Sequence, residues 1–175
     1  MVKWLCTQRL SLRPADAESM RADIAGRHEL SENLRVEVPE DWPPEMLRDV
    51  LGIFQQWLEE KPENAPWLIW YILLQDEEDN QPVLVGSIGF KGSPDDKGRV
   101  EIGYSILHGW QNQGIATEAI QILSDWAFTQ KGVTQVIAQV EPANLPSIRV
   151  LEKSGYQAVG KGTEPGHQLY SISLR

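Results

Sequence analysis

The residues with most chemical character lie in one run, Leu107-His108-Gly109-Trp110-Gln111-Asn112-Gln113-Gly114-Ile115-Ala116-Thr117-Glu118-Ala119. Gly109 and Gly114 mark a short loop that opens into a helix. Backbone N–H groups in such a loop, with the first unpaired N–H groups of the helix, make an anion site that needs no Lys or Arg. A nucleoside triphosphate loop would end in Gly-Lys-Ser/Thr, and here Ile115 follows Gly114. A dinucleotide loop needs a third glycine in fixed spacing, and only Gly109 and Gly114 are present. Taken alone, glycine before a helix is more often plain turn chemistry. His108 at the loop mouth could titrate near neutral pH, although a lone loop histidine is more often merely exposed. Asn144 stands just before a second helix, where Asn is a good cap.

The elements that must position this run are readable from periodicity. Val100, Ile102, Tyr104 and Ile106 alternate with Glu101, Gly103, Ser105 and Leu107, the period of a strand. Ala116, Ala119, Ile120, Leu123 and Ala127 recur at helical spacing. Upstream, Val2 to Arg13 reads as a strand ended by Pro14, and Ala15 to Arg27 as a helix with Met20 and Ile24 inward. His28 to Pro44 shows no clear period. Asp41 is placed to cap a helix in which Leu47, Val50, Leu51, Phe54 and Leu58 share one face. Trp67 to Gln75 and Val83 to Phe90 are strands joined by an acidic turn, Asp76 to Pro82, that reads as solvated. Thr134 to Val140 is a strand and Asn144 to Ser154 a helix stopped at Gly155. Strands at about Ala158 to Gly162 and Leu169 to Leu174 close the chain. The element order is α+β with a mostly antiparallel sheet.

Composition narrows the class. The formal charge of −9 over 175 residues argues against nucleic acid as a partner, because phosphate binding wants clustered Lys and Arg. It leaves room for a cationic acceptor, or simply for solubility. No apolar run is long enough to span a bilayer, so no membrane partner is expected. No secretory signal opens the chain, and one cysteine, Cys6, excludes a disulfide framework. Cys6 reads as a small buried hydrophobe, and a cytoplasmic location follows as the expectation.

Two motifs carry a resemblance. Gln111-Asn112-Gln113-Gly114-Ile115-Ala116 resembles the acyl-CoA loop of the GNAT N-acetyltransferases: Arg or Gln, two residues, Gly, any residue, then Gly or Ala. Thr117-Glu118-Ala119 continues it as in the branch that contains the ribosomal-protein N-terminal (alanine) acetyltransferases. Glu141-Pro142-Ala143-Asn144-Leu145-Pro146-Ser147 through Glu152-Lys153-Ser154-Gly155-Tyr156 resembles that branch's Asn-x-x-Ser helix, closing in Glu-Lys-x-Gly-Phe/Tyr. The resemblance covers roughly the last half of the chain and implies one N-acetyltransferase domain over residues 1–175. It also implies a twisted, mostly antiparallel sheet of about seven strands with flanking helices. The fourth and fifth strands of that sheet splay, and the coenzyme arm lies in the gap. The implied activity is direct transfer of acetyl from acetyl-CoA, as co-substrate and without a metal, to a primary amine in a ternary complex. That amine is a peptide or protein N-terminus or a small amine. The alternative is a catalytically weak or inactive acyl-CoA-binding or oligomerising module, and a homodimer is left open.

Residue roles follow from the same resemblance. The backbone of Ser105, Ile106 and Leu107 would pair with the pantetheine amides. Gln111, Gln113, Gly114, Ile115, Ala116 and Thr117 would form the pyrophosphate loop, with Gln111 and Ala116 replacing the commoner Arg and Gly. Asn144 is a coenzyme ligand, a helix cap or both. Ser147 is either a proton donor to the leaving thiolate or an ordinary first-turn serine. The family's tyrosine acid, seven residues after the Asn, is Leu151 here, and Tyr156 is expected to pack. Glu101 is the candidate base, acting through water, or else a strand residue paired across a hairpin. Some N-terminal acetyltransferases place a Glu where this chain has Gln139, and Glu141 on the same strand face is a second candidate. His28, His167, Trp42, Glu37, Glu40 and Asp41 are candidates for the acceptor side. An α-amino group, with a pKa of about 7.7–8.0 against about 10.4 for lysine, suits a site with so modest a base.

Overall fold

The computed structural model describes residues 3–75 and 81–174, without the Met46 side chain. An eight-stranded sheet runs through it in the order β1-β2-β3-β4-β5-β6-β8-β7. The first expected strand is two: β1 (Leu5–Cys6) and β2 (Leu10–Pro14) form a hairpin. Thr7 turns the chain, its N–H donating to Leu10 O at 2.9 Å. This turn leaves Cys6 exposed and not buried as expected. Strands β3 (Ile69–Leu74), β4 (Val83–Phe90) and β5 (Arg99–Ile106) continue the antiparallel sheet.

The next pairing differs. Strand β6 (Gln135–Val140) joins β5 in parallel, and only over Arg99↔Gln135, Val100↔Val136 and Glu101↔Ile137. Beyond Glu101 the two strands part, and this is the expected splay, moved to β5 and β6 because the first strand is divided. Strands β7 (Gln157–Lys161) and β8 (Gln168–Ser173) complete the far side.

Helices cover both faces. On one, α5 (Ile115–Phe128) and α6 (Leu145–Lys153) pack over Leu12, Trp70, Ile88, Val100, Ile102 and Val136. On the other lie α1 (Ala17–Ala25), α2 (Arg27–Leu34), α3 (Glu45–Arg48) and α4 (Leu51–Glu60), over Ile69, Tyr71 and Leu73. Asp16 and Ser19 open α1 with a reciprocal capping box: Ser19 N donates to Asp16 Oδ1 at 2.8 Å and Asp16 N to Ser19 Oγ at 2.9 Å.

Several expectations need correction here. Met20 is buried, but Ile24 is 47% exposed, because Asp23 and not Ile24 turns toward the sheet. Helix α2 lies in the stretch without a visible period; its core anchors are only Leu30 and Leu34, one turn apart. Asp41 caps nothing, since α3 begins after Pro44 and the chain breaks again before α4. The Trp67 strand starts later, at Ile69, after a 3₁₀ turn over Pro62–Trp67. The acidic turn at 76–80 lies outside the described residues. No helix of the described residues is long and apolar enough to cross a membrane.

Candidate active site

The loop before α5 is built as the glycine pattern suggests. Gly114 is the N-cap residue at φ 77°, left-handed backbone that a β-branched residue strains to adopt. Asn112 also has positive φ, 61°. The helix has no side-chain cap, and Glu118 N donates to Gly114 O at 3.1 Å. The N–H groups of Ile115, Ala116 and Thr117 therefore leave the helix end unpaired, as an anion seat. Ile115 contributes only backbone, its side chain lying in the core. Gln113 Nε2 donates to Gly109 O at 3.2 Å, and Gln111 Nε2 to Ile106 O at 3.0 Å, so both glutamines brace the loop.

A residue that sequence reasoning missed fixes this loop. Arg9, from the β1–β2 hairpin, donates through Nη2 to Gln113 O at 3.0 Å and pairs with Glu118 at 2.6 Å. Thr7 donates to the other Glu118 oxygen. Glu118 in the first turn of α5 is thus paired and does not oppose an anion at the open N–H groups with a free charge. The Arg9 guanidinium itself stands at the loop rim, bridging Glu118 and Gln113 O.

The splay shows which backbone groups are open. Lys91 N donates to Glu101 O, and Leu107 N to Val85 O, both at 2.9 Å. Antiparallel alternation then directs the N–H and C=O groups of Glu101, Gly103, Ser105 and Leu107 toward β4. Those of Ile102, Tyr104 and Ile106 face the gap beside β6. Of the expected trio, Ile106 is on the open edge, with its oxygen taken by Gln111 Nε2 and its N–H facing the gap, while Ser105 and Leu107 are not. Leu107 is also occupied at its oxygen, which accepts from Trp110 N at 3.0 Å.

Across the gap stands α6. Asn144 is its N-cap, Oδ1 accepting from Ser147 N at 3.2 Å. The Ser147 hydroxyl makes no hydrogen bond among the described residues, while its carbonyl accepts from Tyr104 OH at 3.3 Å. Burial holds the Tyr104 phenol above its ordinary pKa, against the pull of that hydrogen bond, so it stays protonated. Tyr104 reads in sequence as one more apolar-phase strand residue, and nothing there marks it. Leu151 is core, and Tyr156 packs with its hydroxyl 2.8 Å from Ser124 Oγ.

Glu101 points to the opposite face, at the crotch of the splay. Gln139 Nε2 donates to its carboxylate at 3.0 Å, and Lys91 Nζ lies 2.5 Å from it. Lys91 also reaches Glu164, in the β7–β8 loop, at 2.6 Å. Burial works against the Lys91 charge, but its hydrogen bonds to both carboxylates outweigh that and keep its pKa above the lysine norm. Lys91 lowers the Glu164 pKa in return. The Gln139 carbonyl accepts from Glu164 N at 2.9 Å and Thr163 Oγ1 at 3.1 Å. A Glu at 139 could not donate to Glu101 and would repel it, so the amide suits this position. Gly162 leaves room for it: a Cβ there would lie 2.4 Å from Gln139 Oε1. Lys91, Glu101, Gln139 and Thr163 line a cavity of about 250 Å³, together with Asp95 and Arg99. Gly103 adjoins it, with nothing within 4 Å of where its Cβ would stand.

The other candidates lie apart. Glu141 and His108 are exposed. His28 is 80% exposed and faces Glu32 on α2. His167 is near the cluster, its Nε2 3.5 Å from Glu164. Trp42 is buried, its Nε1 donating to Asp23 at 2.8 Å, and with Asp23, Arg27 and Arg48 it lines a cavity of about 400 Å³ apart from the cleft residues. Glu37 pairs as backbone with β4, and Glu40 and Asp41 sit on the loop beside Trp42. Among the described residues no three His, Cys, Asp or Glu gather as a metal group.

A splayed α+β sheet with an anion-binding helix end in the cleft defines a coenzyme-dependent acyltransferase architecture. The acetyltransferase (GNAT) domain profile matches residues 9–157, and the chain belongs to that family as an N-acetyltransferase. The uncharacterized N-acetyltransferase YjdG of Bacillus subtilis (strain 168) is 29% identical over 164 residues, spanning 94% of this chain and 95% of that protein. The ribosomal-protein-S5-alanine acetyltransferase structure from Vibrio fischeri superposes with a TM-score of 0.67 at 18% identity, covering 98% and 97% of the two chains. The Microcin C7 self immunity acetyltransferase MccE, in complex with acetyl-CoA and AMP, gives 0.65 at 16% identity, covering 96% and 94%.

Proposed function

We propose that this chain moves acetyl from acetyl-CoA directly to a primary amine, and prefers an α-amino group or other low-pKa amine. The observation that carries the reading is the open cleft between β5 and β6. It has an anion seat at one end and a carboxylate, Glu101, at the other. The pyrophosphate would sit on the N–H groups of Ile115, Ala116 and Thr117, with Gln111, Gln113 and Gly114 shaping the loop and Arg9 at its rim. The pantetheine amides would pair with the open edge of β5 at Tyr104 and Ile106, as one strand adds to another. Asn144 caps the helix that walls the cleft.

The amine nitrogen attacks the thioester carbonyl, forming the C–N bond as the C–S bond breaks. Its proton leaves through water toward Glu101, and the thiolate is protonated by way of Ser147 or Tyr104, whose hydroxyl regains its proton from solvent. A thiol of pKa about 8.5 leaves readily, so the donor matters less than the base. One observation favours the second reading, a coenzyme-binding module without turnover: Glu101 is engaged by both Lys91 and Gln139.

Thiol release measured across matched amines separates the two. The expected result is faster release with a peptide N-terminus than with a lysine side chain. Glu101→Gln should lower that rate by about a hundredfold at acidic pH, where deprotonation is hardest, and less in alkali. No release with any amine would leave only the binding module. A uniform loss at all pH values would make Glu101 a positioning group.

A further inference from the structure

The ammonium of Lys91 lies 2.5 Å from a Glu101 oxygen and 2.6 Å from a Glu164 oxygen, beside the cavity that Lys91, Glu101 and Gln139 line. Glu101 and Lys91 are cross-strand neighbours at the end of the β4–β5 ladder. Glu164 comes from the β7–β8 loop, held there by Gln139. Gln139 in turn fixes Glu101. One primary ammonium held between two carboxylates is the arrangement that an incoming primary ammonium would seek. The Lys91 side chain is 54% exposed, so it can swing out without opening the core. Its protonation, favoured by both carboxylates, makes it a counterion and a poor acetyl acceptor itself, since acyl transfer needs the neutral amine.

We propose that Glu101 and Glu164 form the ammonium seat of the acceptor, and that Lys91 is a resident ammonium which the acceptor displaces. Glu164 is then a positioning and specificity residue: it receives the charged amine, while Glu101 accepts the proton. Gln139 keeps the two carboxylates at the spacing of one ammonium. The loop carrying Glu164 is freed from Lys91 only when a second ammonium replaces it. This rests on the acetyltransferase reading for its purpose, but the seat itself is a charge-recognition site that binding alone can test.

The experiment uses the full chain saturated with coenzyme A, which permits no turnover. Two ammonium probes, alanyl-alanine amide and butylamine, are titrated by NMR near neutral pH, with butanol as the uncharged counterpart. The expected result is that Lys91→Met tightens binding of the ammonium probes about two- to fivefold, the span of a partly exposed ion pair. Glu164→Gln should weaken them by a similar factor, and neither variant should move butanol. Weaker or unchanged ammonium binding in Lys91→Met overturns the proposal. So does a failure of both ammonium probes to bind any form. Loss of coenzyme A binding in the wild type would strike the functional reading instead, and the titration repeated without coenzyme would still decide the seat.

Discussion

The two faces of the sheet handle polarity in opposite ways. Beneath α5 and α6 the interior is apolar, and the chemistry facing the cleft comes from backbone: the end of α5 and the open edge of β5. Over the face carrying α1 to α4, charge is taken into the protein itself. Asp23 is buried there, and Glu101 sits in its ion-paired cavity farther along the same face. Tyr71, Ser87 and Ser105 are register partners across β3, β4 and β5 and share that face with Glu101. A backbone site tolerates many side chains but depends on dihedral angles. A side-chain site depends on residues brought together from distant segments. The two halves should therefore respond to different kinds of substitution.

The largest effect expected is on the backbone half. Gly114→Val forces a β-branched residue into φ 77° and brings its Cβ within 3.3 Å of Arg9 Nη2. The exposed loop relaxes out of that conformation in the free variant, and restoring it on binding costs up to about 3 kcal/mol, about a hundredfold in acetyl-CoA affinity. Calorimetry reads the loss, and the thermal midpoint should stay close to wild type because the loop is exposed. The ammonium probes should bind as before. If they weaken in step with the coenzyme, the halves are not independent.

A smaller effect tests the hydroxyls between the halves. Ser147→Ala and Tyr104→Phe should each lower turnover by less than about tenfold, since the leaving thiol needs little help. Coenzyme affinity should hold in both. If only one variant slows turnover, that hydroxyl is the donor. If neither does, water serves the thiolate.

The same contrast explains what the sequence disclosed. The Gln111–Ala116 loop is contiguous, and its function needs only glycines and a helix start, so spacing was enough to find it. The strand before it was equally plain, yet which of its backbone groups face the gap depends on pairing with β4. That is why Ser105 and Leu107 were expected beside Ile106 on the open edge, where Tyr104 and Ile106 stand. Glu101 was visible only through family resemblance. Lys91 and Glu164 are 73 residues apart, and Gln139 is 38 residues from Glu101. No local pattern joins them. Trp42 is a parallel case: its indole N–H donates to the buried Asp23, a partner 19 residues away that no local pattern supplies.

That buried carboxylate gives the last test, which should barely touch activity. Asp23 accepts from Trp42 Nε1 at 2.8 Å and from Tyr71 OH at 3.0 Å. Burial nevertheless pushes its pKa up from 3.8 to about 6, outweighing the two hydrogen bonds that lower it. The raised value means the folded chain holds this proton more tightly than the unfolded chain. Between about pH 4 and 6 the native state binds more protons, so this group's contribution falls as pH rises through that window and is constant above it. At 1.36 kcal/mol per unit the fall is about 3 kcal/mol. Asp23→Asn removes the titration while keeping an oxygen for Trp42. The wild-type stability minus that of Asp23→Asn, measured by urea unfolding, should therefore drop by about 3 kcal/mol across the window and then level off. Acetyl-CoA affinity should be equal in the two proteins, since Asp23 touches neither the loop nor the cleft. Stability curves that run parallel from pH 4 to 7 would mean that Asp23 titrates alike folded and unfolded, and that its burial imposes no charge penalty on this face.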